Sequence, residues 1–275
     1  MNRDFILYTA LLLVGLLGTY MIIPMFKNLL INSNIIRPNY KKDMIPVSMG
    51  IVFLPMMIIN GIIVLLFTNK AENLLYVFIY IFGMISMFFA GVLDDIIGNR
   101  DVSGLKGHFK SLLKGHLTTG GFKALFGGFV GIIVSIAISK DITDIIVNTL
   151  IIALSTNLMN LLDLRPGRAI KVYLIITTII FLTLVGYIKV LPLLIVPNVL
   201  AYFSHDLKAR AMMGDTGSNV LGISIGILVV LGYSFNVRMS WLVFLIFIHI
   251  VTEKYSLTKI IEKNKFLNFI DKLGR

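Results

Sequence analysis

The chain has 275 residues, of which 57% are apolar and only 14% charged, and its mean hydropathy is +0.91. A soluble domain of this length carries about 45–50% apolar and about 25% charged residues, so an aqueous globule and a disordered chain are both excluded and a lipid bilayer is the fitting solvent. The net charge of +11 then reads as topogenic Lys and Arg rather than a nucleic-acid surface, and the lack of cysteine removes disulfides, thiolate metal sites and cysteine nucleophiles together.

In chain order, the first apolar run is Phe5 to Phe26. No small-residue cleavage pattern follows it, which predicts a membrane span rather than a removed signal peptide. Further runs follow at 47–68, 73–93, 124–139, 142–161, 170–187, 190–204, 217–235 and 238–252, so nine spans are predicted. Those at 124–139, 190–204 and 238–252 fall short of the roughly 20 helical residues that a hydrocarbon core of about 30 Å requires, and their ends are the least defined. Of the 25 Lys and Arg, 20 fall in one set of connections together with the carboxyl-terminal tail. Arg3, Lys70, Lys140, Lys189 and Arg238 fall in the other. The positive-inside rule then places the amino terminus outside and the larger loops and tail in the cytoplasm. With no soluble insert or internal repeat, residues 1–275 read as one all-α, polytopic membrane domain, of which 253–275 is an amphipathic tail suited to the membrane surface.

Ionised groups at the ends of membrane helices are costly unless solvated, paired or bound to a cation. Asp94 and Asp95 close the third predicted span, Asp163 follows the fifth, and Asp215 opens the eighth, all on the inner side. Taken singly, each has an ordinary reading: the Asp pair as solvated or Lys-paired acids, Asn157 and Asn160 as interhelical hydrogen bonders, and Gly214 to Ser218 as a helix cap. Gathered on one face with most of the basic residues, they fit a hard divalent cation, Mg2+ with Mn2+ as the nearest substitute. Oxygen ligands suit these ions, which also bridge substrate phosphates. Lys and Arg on phosphate oxygens and a neighbouring membrane groove for an isoprenoid chain would complete a site for phosphoryl transfer to a lipid.

Five segments in register carry a resemblance. Lys41-Lys42-Asp43-Met44-Ile45-Pro46-Val47-Ser48-Met49-Gly50 is similar to a Lys-rich Pro-Thr-Met-Gly-Gly loop, followed by Asp94-Asp95 and by Gly104-Leu105 with Lys110. Asn157 through Asp163 resembles an Asn-x-x-Asn-x-x-Asp loop, and Met213 through Ser218 a Met-Gly-Asp-x-Gly-Ser signature. These are the motifs of the polyprenyl-phosphate N-acetylhexosamine-1-phosphate transferases, which include the phospho-N-acetylmuramoyl-pentapeptide transferases. The resemblance implies a ten-helix membrane fold in a bacterial-type plasma membrane, dependence on Mg2+, a UDP-linked amino sugar as donor and undecaprenyl phosphate as acceptor. It implies metal contact by Asp215, with Asp94 and Asp95 acting on the metal or the acceptor phosphate. Lys41, Lys42, Lys110, Asn157, Asn160, Asp163, Gly214 and Ser218 fall in its substrate-binding segments. A homodimer is compatible with the same features, and nucleic acid is not an expected partner.

Three departures qualify the expectation. Asp163 is followed by Leu164-Arg165-Pro166-Gly167, with Pro166 where a second Asp is expected. The Lys that often follows the Asp pair is replaced by Ile96-Ile97-Gly98, and the His-rich motif after the last span by Glu253-Lys254-Tyr255. Arg165 and Arg168 read either as a grip on the donor diphosphate or as topogenic charges. The competing functional expectation is a lapsed relative that binds the lipid phosphate or nucleotide sugar without turnover. A transporter, which calls for repeats and midplane charges, fits less well.

Overall fold

In a computed structural model, which describes residues 3–98, 111 and 115–275, all nine apolar runs are helical. Helix α1 (Arg3–Asn32) is 30 residues long, about 45 Å, and so extends beyond a core of about 30 Å. It buries Leu7, Leu11, Gly15, Thr19 and Ile23 as one stripe at four-residue spacing. After a left-handed turn at Asn34, the chain makes a small hairpin outside the all-α expectation. Strand β1 (Ile36–Pro38) pairs antiparallel with β2 (Met44–Pro46), with Ile36 opposite Pro46. The Asn39 carboxamide accepts from the backbone N–H groups of Lys41 and Asp43 and closes the turn.

A 3-10 turn (Met49–Val52) leads into α2 (Phe53–Leu66), which is followed by α3 (Ala71–Ile97). Helix α4 (Thr119–Ile138) starts on a Thr118 side-chain cap and α5 (Ile142–Leu162) on an Asp141 cap, as expected of short polar residues with extended backbone at a helix start. Helix α6 (Arg168–Thr183) is 16 residues long, about 24 Å, and stops short of a full crossing. The run predicted at 190–204 is a composite: a nine-residue 3-10 segment (Gly186–Leu194) continues into α7 (Val196–Leu207), whose first turn contains Pro197. Then come α8 (Gly214–Gly232), α9 (Phe235–Lys254) and the short tail helices α10 (Leu257–Lys263) and α11 (Lys265–Lys272). Among the described residues, eight helical segments are long and apolar enough to cross a membrane, and α6 is the shorter ninth.

Helix α8 is the hub. Of its most apolar window 83% is buried, against 17% for the peripheral α9, and its main neighbours are α3 and α5. Small residues permit this approach: a Cβ added at Gly222 would lie 2.4 Å from the Cα of Thr156, and one at Gly83 would lie 2.5 Å from a methyl of Ile227. Two buried carboxamides donate to backbone carbonyls of other segments. Asn60 donates to the carbonyls of Leu11 and Leu193, and Asn198 to those of Phe53 and Leu194. At one end of the bundle Arg238 pairs with Asp144 at 2.9 Å. At the other end, the finish of α3, the start of α4, the finish of α5 and the start of α8 converge.

Candidate active site

The start of α8 is built by contacts from distant segments. The backbone N–H groups of Met49 and Gly50 donate to the carbonyls of Met212 and Met213, and the N–H of Met212 donates to Pro46, so the segment after the hairpin aligns the approach to the helix. Gly50 has no room for a side chain, because a Cβ there would lie 2.2 Å from the backbone nitrogen of Gly217. Gly214 adopts a left-handed φ of +73°, and a Cβ on it would lie 2.4 Å from the Asp95 carboxylate.

The adjacent acids of α3 part ways. Asp95 is 9% exposed, and its carboxylate accepts from the backbone of Asp215 (2.9 Å), the backbone of Thr216 (3.0 Å) and the Thr216 hydroxyl (2.6 Å). It therefore caps α8 from another helix, satisfying backbone donors that a helix start leaves open. The Thr216 hydroxyl also meets that of Ser48. Asp94 points the other way. Its Oδ2 lies 2.9 Å from Nζ of Lys123, and the same ammonium group contacts Oδ2 of Asp215. Two carboxylates from α3 and α8 thus face one cation carried by α4. The side chains are 17%, 31% and 19% exposed for Asp94, Asp215 and Lys123, so solvent reaches the cluster.

Among the described residues no three His, Cys, Asp or Glu side chains converge as a metal site. Asp94 and Asp215, which here face the Lys123 ammonium, would offer two oxygen ligands, a set that suits Mg2+ when substrate phosphates and water complete the shell. Asp95 has its oxygens on α8 and is not positioned as a third.

On α5, Asn160 accepts from the Ser218 hydroxyl and donates to the Asn219 side-chain oxygen Oδ1 at 2.7 Å, linking α5 to the N-terminal part of α8. Asn157 lies three residues earlier and is half-buried. Asp163 ends the helix near Asp206, Asp215 and Asp95, and desolvation together with those carboxylates pushes its carboxyl well above the usual range. Lys41 and Lys42 sit exposed in the hairpin turn, Lys41 over the ring of Tyr40. Lys110 lies outside the described residues.

The two arginines after Asp163 are not gathered with the acids. Arg168 is 3% exposed, its guanidinium bidentate on Asp271 at 2.7 and 3.0 Å and also bonded to Thr258. Its donors are engaged by the tail, so the reading of Arg168 as a diphosphate grip is corrected to an anchor for the tail. Arg165 lies on the surface, 3.8 Å from Glu262.

Two residues at the site carry no signal in the sequence reading. Lys123 enters there only within the count of topogenic charges, and Asp206 lies in none of the segments singled out. Asp206 is 5% exposed and accepts from the backbone N–H of Gly167 at 2.7 Å, fixing the turn that follows Asp163. The left-handed φ of +73° at Gly167 is the local hint that this turn has an outside partner.

The order of these segments along the chain and their meeting at one end of a membrane bundle agree with a sequence comparison. The model of glycosyl transferase family 4 matches residues 77–233, more than half the chain, and the chain belongs to that family. It is therefore a membrane protein of the phosphosugar transferase class. No curated protein sequence matches it.

Proposed function

We propose that this chain moves a sugar-1-phosphate from a UDP-linked amino sugar to undecaprenyl phosphate and releases UMP, on the cytoplasmic face of a bacterial-type plasma membrane with the amino terminus outside. The observation that carries the reading is the meeting of Asp94 and Asp215 on one cation at the end of a membrane bundle. In the reaction, an oxygen of the lipid phosphate attacks the sugar-bearing phosphorus of the donor. A new P–O bond forms, the P–O bond to uridylate breaks, and UMP leaves with that bond's electron pair. A phosphate monoester has a second pKa near 6 and is already largely ionised at neutral pH, so the attack needs no strong base.

Asp94 and Asp215 would hold Mg2+, which when bound neutralises phosphate charge as the leaving group departs. Lys123, whose ammonium contacts both carboxylates, would yield that place to the metal and turn its charge to phosphate oxygens. Asp95 and Thr216 hold the start of α8 still, so that Asp215 keeps its place against Asp94. Asn157, Asn160, Asp163, Lys41, Lys42 and Lys110 are the residues assigned to substrate binding, with Gly214 and Ser218 shaping the start of α8.

A lapsed relative is the second reading, supported by Pro166 in place of an acid and by the engagement of Arg168 with Asp271. The deciding experiment is Mg2+-dependent UMP release by the purified protein from a panel of UDP-N-acetyl sugars with undecaprenyl phosphate. Release that disappears in Asp215→Asn is expected. Saturable binding of the lipid phosphate with no release from any donor would establish the lapsed relative.

A further inference from the structure

The tail helices present two unlike sides. The polar side faces the protein, where Asp271 holds Arg168, Lys171 donates to the carbonyls of Ile270 and Asp271, and Arg275 donates to the carbonyl of Pro166 at 2.8 Å. On the other side of α11, Phe266, Phe269, Ile270 and Leu273 recur at i, i+3, i+4 and i+7 and form one apolar stripe. Phe266, Phe269 and Leu273 are 69%, 64% and 56% exposed.

The height of this stripe is fixed at two points. Helix α9 ends at Lys254, and only Tyr255 and Ser256 separate it from α10. Asp271, at the far end, is fastened to Arg168, the first residue of α6. The tail therefore lies level with the ends of membrane helices, where headgroups are, and Lys259, Lys263, Lys265 and Lys272 complement anionic ones.

We propose that α11 is seated in the headgroup layer of an anionic leaflet, apolar stripe toward the acyl chains. Through Arg168 and Asp271, this lipid contact supports the turn between Asp163 and Arg168. That turn is tied at Pro166 by Arg275, at Gly167 by Asp206 and at Arg168 by Asp271, with a longer surface pair between Arg165 and Glu262, so every one of these ties except that from Asp206 comes from the tail. Losing the lipid seat loosens the turn that carries the chain away from Asp163. The inference does not depend on which substrates are used.

The chain has no cysteine, so single nitroxide labels can be placed on the full-length protein. The protein is reconstituted in nanodiscs of phosphatidylcholine alone or mixed with phosphatidylglycerol. With the anionic lipid, a label at Phe269→Cys is expected to be roughly tenfold less accessible to a water-soluble nickel chelate than one at Lys272→Cys. A label at Leu164→Cys, an exposed position in the turn, is expected to be immobilised in the mixed discs and mobile when Phe266→Ser and Phe269→Ser are introduced. Both phenylalanines are exposed, so these changes remove no core packing. Equal chelate access at 269 and 272 would overturn the lipid seat. So would spin–spin broadening at 269 that vanishes on dilution with unlabelled protein, since a second copy would then cover the stripe. A Leu164 label indifferent to the serine variants would overturn the coupling. UMP release plays no part in these readouts, so they fail or succeed separately from the transferase reading.

Discussion

The ammonium group of Lys123 lies between the carboxylates of Asp94 and Asp215, and if the site takes a divalent cation, as proposed, this group should set how strongly the cation binds. Replacing Lys123 with Met leaves Asp94 and Asp215 facing each other without a counter-charge, and Mg2+ becomes the obvious remedy. A ligand present at about 100 times its Kd stabilises a fold by about 2.7 kcal/mol. The rise in unfolding temperature on adding Mg2+ should accordingly be larger in Lys123→Met than in the parent, and should vanish when Asp215→Asn is added. An identical Mg2+ response in Lys123→Met and parent would show that the lysine and the metal do not share a place. The two neighbouring acids should separate in the same assays. Asp95→Asn weakens the cap on α8 and should cost about 1–3 kcal/mol in thermal or denaturant unfolding. Asp94→Asn should leave stability close to the parent while abolishing UMP release. Asp94, Asp95 and Asp215 were legible in the sequence because each sits in a short, recognisable segment at a helix end. Lys123 was not, since its meaning lies in partners 29 and 92 residues away, and neither spacing produces a local pattern. Arg168 misled for the same reason, its acid partner being 103 residues further along.

Helices α3, α5 and α8 meet through small side chains, so their packing should be intolerant of bulk. Gly222→Leu places atoms where the backbone of Thr156 already lies. Overpacking of this kind costs typically 1–3 kcal/mol, so a lower unfolding temperature in detergent, with UMP release reduced at all temperatures, is expected. For the tail, the sign of its pH response follows from Asp271. Desolvation alone would raise this carboxyl, but hydrogen bonding and charge from Arg168 and Arg275 outweigh it and hold the group below the usual carboxylate range. A group whose pKa is lowered on docking contributes its full share above the undocked value, about 3.9, and loses it as pH falls through the lowered docked value. A label on α11 should therefore remain immobile at neutral pH and become mobile only on acidification below about pH 4, and Asp271→Asn should mimic that release at pH 7. The apolar runs were plain from length alone, and so was the amphipathic character of the tail. The hairpin of three-residue strands was not, because strands so short carry no alternation to read. The break at Ile195 was also hidden, since an apolar 3-10 segment and an apolar α-helix look alike in composition.

At the scale of the whole molecule, the hairpin turn and the tail should share one side of the membrane and the α4–α5 connection should occupy the other. Single cysteines at Tyr40, Asn268 and Lys140 in otherwise unaltered chains, probed with an impermeant maleimide in sealed vesicles of known orientation, should label in two classes. Tyr40 and Asn268 should react from the cytoplasmic side and Lys140 from outside. Labelling of all three from one side would overturn the orientation. Helix alternation and charge bias make the common face of the acids readable from the sequence. Which acids touch, and through what, required the packing of α8. That helix runs from the acidic end toward the opposite one, encased by its neighbours and apolar along most of its length. A sugar diphosphate could not follow it through, since every charged group would have to shed its water with nothing to replace it. Under the proposed function, a lipid-linked product would therefore stay in the leaflet where it is made.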